Sequence, residues 1–492
     1  MKRIATLGAI LLMAAALRLH GLNDLLPLGN EYFYFYLSLH PKDFHQFLDG
    51  IRGNPLHLLT TQIIPYWMGL WKDSPGWLRL PSALFGCSAV WGVWRLAELN
   101  GDTRRAVASA LLLSLSLLHI EWSCRTELYA LISALTLFTT FSFLRLQRKP
   151  GFPAAYGLWA LLLIYSSPYA APLAALHAAS IAFVPASLRR PVLISLTLAW
   201  LAAVACFVPW LAFASSSFAA MLSSDFIGNH SGLQTVWQFL GRIPLFFAQG
   251  GEVTNRLWHW GPGVPGFLAL LYFLCYLASL IRALGGKGDQ VLRISHLAVP
   301  SMIAAVTAID LATRNYFSHR QLVWVLPFYL IAVADGFLWG FDLLADRVRL
   351  SQAAASAALS AAALCLLLAS LGLYFESVND QIALGEGQRR IVSGVEGHIR
   401  PGDILVFQDA SLAQEFIYHY DRTAFRNTPG FRLFPERMKV RRNGKENTLE
   451  IADSSEVRTP SKEIDAERSW YFQGRMSDLR VSIPQRFARM QP

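Results

Sequence analysis

Long apolar runs recur along this chain, and with about 20 residues taken per membrane-crossing helix they predict spans near 4–22, 77–97, 106–121, 127–145, 154–166, 169–186, 191–213, 263–283, 294–312, 320–340 and 352–374. The polar connections between them alternate in charge. Arg104-Arg105, Arg145 with Arg148-Lys149, Arg189-Arg190, Arg282 with Lys287 and Arg293, and Arg347 with Arg349 all fall on the side of Lys2-Arg3, as the enrichment of Lys and Arg in cytoplasmic loops requires. Eleven spans with the N-terminus in the cytoplasm put the C-terminus outside. The stretch 55–71 is also apolar, but it carries Pro55, His57, Gln62 and Pro65. Counting it as a span would move Arg104-Arg105 to the outer side, so it reads as amphipathic helices in the outer interface, where Trp67, Trp71 and Trp77 suit the aromatic belt. After about residue 376 the pattern changes to a mixed, charged sequence. There Ile404–Phe407 reads as a strand, Ser411 to Tyr420 has helical spacing, and 436–468 reads as loop or edge hairpin.

The predicted fold is therefore a polytopic α-helical membrane protein with about 11 transmembrane helices, interfacial helices in the first outer loop and a small C-terminal α/β extracytoplasmic module. Its domains are 1–375, with outer loops 23–76 and 214–262, and 376–492. The start, Met1-Lys2-Arg3 and an apolar stretch to Leu17, lacks a small-residue cleavage site because Arg18 and His20 stand there, so it reads as an uncleaved first span.

Composition agrees: the chain of 492 residues is 54% hydrophobic and 15% charged, with mean hydropathy +0.35, far from a soluble domain. The net charge of +10 sits in short clusters between apolar runs, which is an orientation signal rather than a nucleic-acid surface. Cys87, Cys124, Cys206, Cys275 and Cys365 have no CxxC spacing and signal neither zinc nor a disulfide framework. No P-loop, GxGxxG unit, HExxH or GxSxG elbow occurs in a usable context, which argues against soluble nucleotide chemistry.

Candidate chemistry gathers in the outer segments. Glu31, ringed by Asn30, Tyr32, Phe33 and Tyr34, is either a general base in a partly dry site or a solvated loop carboxylate. Asp24, Asp43 and Asp49 share the loop. His40, His45 and His57 could join Glu31 or Asp43 around a divalent metal ion, although no fixed ligand spacing marks one. Arg125 and Glu127 flank a predicted outer turn at His119–Cys124, and on a helix beginning there Arg125, Tyr129 and Ile132 share a face. They read as a ligand-facing cation and phenol, or as an Arg-Glu pair anchoring the helix end. Arg314, His319 and Arg320 precede another span and suit a lipid phosphate or serve as snorkelling anchors. Trp237, Phe239, Arg242, Trp258, His259 and Trp260 suit sugar rings or an interfacial belt.

In their order these features resemble the GT-C superfamily of membrane glycosyltransferases, in its protein O-mannosyltransferase, aminoarabinose transferase and RgtA/B/C/D-like branch. The resemblance runs through Arg18-Leu19-His20-Gly21-Leu22, Asn30-Glu31-Tyr32, Asn54-Pro55-Leu56, the run Leu78-Arg79-Leu80-Pro81-Ser82-Ala83-Leu84-Phe85-Gly86, Arg125 to Leu131 and Arg320 to Pro327. It implies inverting transfer of a sugar from a polyprenyl-phosphate donor to a saccharide, lipid or protein acceptor at the outer face of a bacterial cytoplasmic membrane. In that family an Asp-Glu pair in the first outer loop holds the catalytic acid or base. Here Asn30 stands at the Asp position, and an amide takes no proton at neutral pH. Glu31, or Asp24 or Asp43 from the same loop, would then act as base, or the chain is a catalytically silent relative. The family's Glu-x-Arg-x-Tyr order is Arg125-Thr126-Glu127-Leu128-Tyr129 here, and Asn54-Pro55 replaces a Pro-Pro or Lys-Pro. Arg125 and Arg320, with His319 and Arg314, would hold the donor phosphate, while Asn30, Tyr32, Tyr34, Glu127 and Tyr129 line the pocket. A lipid-linked saccharide flippase is the reading from another class. It asks for polar groups deep in the spans, whereas the charges here collect at span ends.

Overall fold

The computed structural model describes residues 2–27, 31–32, 59, 64, 74–127, 129–149, 153–167, 170–213, 233–249, 263–313, 319–349, 351–400, 403–407, 410–420, 437–443, 446–450, 469–473 and 480–482. They belong to two compact units, one of residues 1–22, 48–64 and 79–377, the other of 23–47, 65–78 and 378–492.

The larger unit is built from α1 (Lys2–Leu19), α2 (Pro75–Ala97), α3 (Thr103–Leu115), α4 (Leu117–Ser123), α5 (Tyr129–Arg148), α6 (Ala154–Ser166), α7 (Ala170–Ser180), α8 (Ala186–Phe213), α9 (Leu233–Gln249), α10 (Gly263–Arg282), α11 (Gln290–Thr313), α12 (Leu326–Val348) and the first part of α13 (Gln352–Glu396). Among the described residues five helices are long and apolar enough to cross a membrane, lying within α5, α8, α10 with the turn after it, α11 and α12, and α3 with α4 makes a sixth if that bent pair is one span. At 13 and 11 residues, α6 and α7 are short of the ~30 Å hydrocarbon thickness at about 1.5 Å per residue.

α12 is the centre of this unit, with Leu326 through Asp335 buried without interruption. Gly336 lets α10 close on it, since a Cβ there would run into the Cys275 carbonyl. Polar side chains join other helices: the Trp200 indole donates to the Tyr156 hydroxyl at 2.7 Å, which turns its own proton to His177 Nδ1 at 3.1 Å. His177 Nε2 then donates to Thr140 Oγ1 at 3.2 Å.

Many of the basic connections meet at one end. Arg3 pairs with Glu98 at 3.8 Å, Arg104 with Asp342 at 2.9 Å, and Arg293 lies 6.0 Å over the Phe183 ring. Arg105 and Asp335, both 2% exposed, pair at 3.6 Å. Arg105 also bonds Asp289 at 2.6 Å, while Asp335 accepts from Arg282 and from Ser279 at 2.9 Å. Asp335, in the interior of α12, is an exception to the expectation that charges collect at span ends. It is held there by opposite charges on α3 and α10, and a charge is stable among apolar helices only when so paired.

The span expected at 106–121 is in fact broken. Ser116, at φ −65° and ψ 115°, is extended, and α3 and α4 meet there at 60°. The Ser116 hydroxyl accepts the His119 N–H at 3.4 Å and so starts α4 anew.

In the smaller unit the strands β1 (Ile404–Phe407), β2 (Arg437–Asn443), β3 (Glu446–Glu450), β4 (Ser469–Gln473) and β5 (Arg480–Ser482) form one sheet in the order β3-β2-β1-β4-β5. β1 runs parallel to β4, and the other pairs are antiparallel. The alternate residues Leu405 and Phe407 are buried and face the apolar side of α14 (Ala410–Tyr420), where Phe416 meets Phe407 at 5.3 Å between ring centroids.

Candidate functional site

Breaking a helix frees its last carbonyls, and the α3–α4 break is answered by Arg18 from α1. A guanidinium has five N–H donors, and each has an acceptor here. Nε donates to Ser123 Oγ at 3.3 Å, Nη1 to the carbonyls of Ala14 and Ser114 at 3.1 and 3.2 Å, and Nη2 to the Leu113 carbonyl at 3.3 Å and His119 Nδ1 at 2.9 Å. Because arginine only donates, His119 carries its proton on Nε2. The run Leu78–Gly86 wraps this knot. Arg79 donates to the Leu22 carbonyl at 2.9 Å, Ser82 to the Trp122 carbonyl at 3.1 Å, and Gly86 leaves room that a Cβ would take from Ser123 Oγ and, at 2.8 Å, from Arg18 Nε.

Beyond α4 the chain carries the charges. Arg125 pairs with Glu121, and Arg320, in the one-turn helix His319–Leu322, pairs with Glu127, both at 3.6 Å. Arg125, Glu127 and Tyr129 neighbour the Trp122 indole in sequence, and Tyr129 meets that ring edge-on at 4.9 Å. Three expectations are corrected here. Residues 119–124 are mostly helix rather than turn, since α4 covers Leu117–Ser123. α5 starts at Tyr129, so Arg125 does not share a helical face with Tyr129 and Ile132. Arg125 and Glu127 do not pair with each other, because residues two apart do not face one another, whereas Glu121 and Arg125 at i,i+4 do. Glu121 carried no signal in the sequence reading. Its partner became legible only once α4 was seen as helix.

In the smaller unit, Glu31 and Tyr32 form a helical turn. Glu31 is wholly buried and Tyr32 is buried, with its ring edge-on to Tyr418 at 5.6 Å. Asp24 is exposed. Asn30, Phe33, Tyr34, His40, Asp43, His45, Asp49, His57, Trp258, His259, Trp260 and Arg314 lie outside the described residues. On α9, Trp237 is 71% exposed and Phe239 2%, so these two aromatics do not present a common face to a sugar. Among the described residues no three His, Cys, Asp or Glu side chains cluster as a metal ion requires, and the histidines expected to hold one lie outside them.

No known family profile matches the sequence, and no curated protein matches it. Solved structures do. ArnT from Cupriavidus metallidurans in the apo state is similar at 15% identity and a TM-score of 0.52, over 84% of each chain. The same protein bound to undecaprenyl phosphate gives 14% identity and 0.51 over 87% of this chain and 88% of that one. The archaeal oligosaccharyltransferase AglB from Archaeoglobus fulgidus gives 13% identity and 0.45, with 80% of this chain and 58% of that one covered. At such identities the likeness to ArnT is one of fold. The chain therefore shares the fold of ArnT across most of its length.

Proposed function

We propose that this protein is an inverting glycosyltransferase that moves a sugar from a polyprenyl-phosphate donor to a saccharide, lipid or protein acceptor at the outer face of a bacterial cytoplasmic membrane. The observation that carries the reading is the fold shared with ArnT over 84% of both chains, joined to buried Arg125 and part-buried Arg320, which pair with Glu121 and Glu127 on either side of the segment after α4. One ArnT structure holds undecaprenyl phosphate. Eleven spans and a cytoplasmic N-terminus would put Arg125 and Arg320 on the outer side, because α1 and α3 run parallel from the basic end, where Arg3 lies, to Arg18 and the break.

In this reading Arg125 and Arg320, with His319 and Arg314, hold the donor phosphate and stabilise the negative charge that grows on it as the sugar leaves. Guanidinium forks suit that task because they stay charged and match phosphate oxygens in pairs. Glu31, buried and ringed in sequence by Tyr32, Phe33 and Tyr34, takes the acceptor's proton or orients the acceptor, and Asp43 and Asp24 are the other carboxylates of the same loop. Asn30, Tyr32, Tyr34, Glu127 and Tyr129 are the residues the sequence resemblance assigns to substrate contact.

Purified protein in nanodiscs, given polyprenyl-phosphate sugars and acceptor fractions, should release free lipid phosphate, and Glu31→Gln should fold yet abolish release. Wild-type turnover in that variant would remove Glu31 from the mechanism. Asn30 favours one second reading, a silent relative that binds the lipid-linked sugar without transfer. Tight donor binding with no release under any acceptor would select it.

A further inference from the structure

Arg18 belongs to none of the charge pairs assigned to the reaction, yet it is wholly buried, and among the described residues no carboxylate lies within salt-bridge distance of it. Burying a guanidinium without a counter-ion is unfavourable unless its donors are filled and something else welcomes the charge. Both conditions are met at the α3–α4 break. Extended Ser116 takes the Leu113 and Ser114 carbonyls out of helical bonding, and the partial negative charge at the end of α3 attracts a cation. Arg18 binds those two carbonyls on one arm of the bend, and Ser123 Oγ and His119 Nδ1 on the other. A lysine, with three donors on a point charge, cannot bridge both arms in the same plane.

The α2 run holds the arrangement from outside. Ser82 grips the Trp122 carbonyl, Arg79 grips the Leu22 carbonyl after α1, and Gly86 admits Arg18 and Ser123 at a distance any side chain would deny. Cys124 Sγ closes the loop onto the Arg18 carbonyl at 3.3 Å. One residue further, Arg125 begins the charged segment.

We propose that Arg18 is a positioning residue: by bolting both arms of the 60° bend, it sets where Arg125, held by Glu121, stands to receive a polyprenyl phosphate. This inference rests on the glycosyltransferase reading and adds to it a residue that touches neither donor nor acceptor. Displacing a binding group by about 1 Å can cost on the order of 10²-fold, so loosening the bend should weaken lipid-phosphate binding while the far end of the bundle stays intact.

The test uses the full chain in nanodiscs, as wild type, Arg18→Lys, Arg18→Gln and Gly86→Ala, all below their thermal transitions. Hydrogen exchange across 117–127 reports the bend, and titration with undecaprenyl phosphate reports the site. The expected result is faster exchange confined to 117–127 and a loss of affinity on the order of 10²-fold in both Arg18 variants. Gly86→Ala, which leaves Arg18 in place, should do the same, and it decides the matter if the Arg18 variants do not fold. Unchanged exchange in 117–127, or loosened exchange with wild-type affinity, overturns the proposal. Wild-type protein that binds no undecaprenyl phosphate overturns the glycosyltransferase reading itself, while its exchange data still report whether Arg18 holds the bend.

Discussion

At the basic end of the helical unit, Arg105 and Arg282 meet Asp289 and Asp335, with Arg105 and Asp289 2.6 Å apart; at the opposite end, Arg18 is buried against neutral acceptors, and Arg125 and Arg320 face Glu121 and Glu127 at 3.6 Å. The first group is balanced charge for charge and sits where α3, α10, α11 and α12 converge, with Asp289 also accepting the Leu292 N–H at 3.0 Å to start α11. The second group lies beside a helix that has been broken and re-capped. Buried ions of the first kind hold helices in register, whereas a broken helix with cations near its end supplies donors a bound anion can use. On the function proposed above, the same residue types serve structure at one end and binding at the other.

Four changes would break or sharpen this contrast. Asp335→Ala takes one of two carboxylate partners from buried Arg105 and the partner of part-buried Arg282, and should cost about 3–5 kcal/mol of stability, read as a lower unfolding midpoint in detergent. Arg320→Ala, which takes a part-exposed cation from Glu127, should lower that midpoint less than Asp335→Ala does and lower transfer by roughly 10²- to 10³-fold, read by lipid-phosphate release. Gly336→Ala forces α12 away from α10 and should cost about 1–3 kcal/mol, again without loss of binding below the transition. The smallest effect is with pH. Burial pushes the Asp289 carboxyl up, but the Arg105 charge and the hydrogen bonds from Leu292, Arg105 and Asn100 outweigh it and hold it below the usual range. A depressed carboxylate contributes stability above its unfolded pKa of about 4. That contribution fades as pH falls through the still lower folded value, so melting midpoints should hold from neutrality to about pH 4 and then drop, less steeply in Asp289→Asn.

The sequence is most readable where one physical term dominates. Apolar length and Lys/Arg alternation locate the helices and bring Arg3, Arg104 and Arg105 to one end because hydrophobicity and orientation act along the chain. The Ile404–Phe407 strand and the helix after it show their own periodicities. The break at Ser116 was hidden because a single extended serine inside an apolar run changes neither hydropathy nor period, and what compensates it, Arg18, lies about a hundred residues away. The Glu127–Arg320 pair is equally remote in sequence. Asp335 did give a local signal, a carboxylate inside an apolar helix, but its partners sit on other helices. Arg18 and Gly86 were visible as parts of a resemblance, while their roles depend on a close approach of α1, α2 and α4 that no spacing rule expresses.

The most direct test of the central claim is undecaprenyl phosphate affinity, measured below the unfolding transition for wild type, Asp335→Asn and the double variant Arg125→Ala with Arg320→Ala. The account predicts that Asp335→Asn binds like wild type and that the double variant loses at least roughly 10²-fold. Equal losses in the two variants, or full affinity in the double variant, would contradict it.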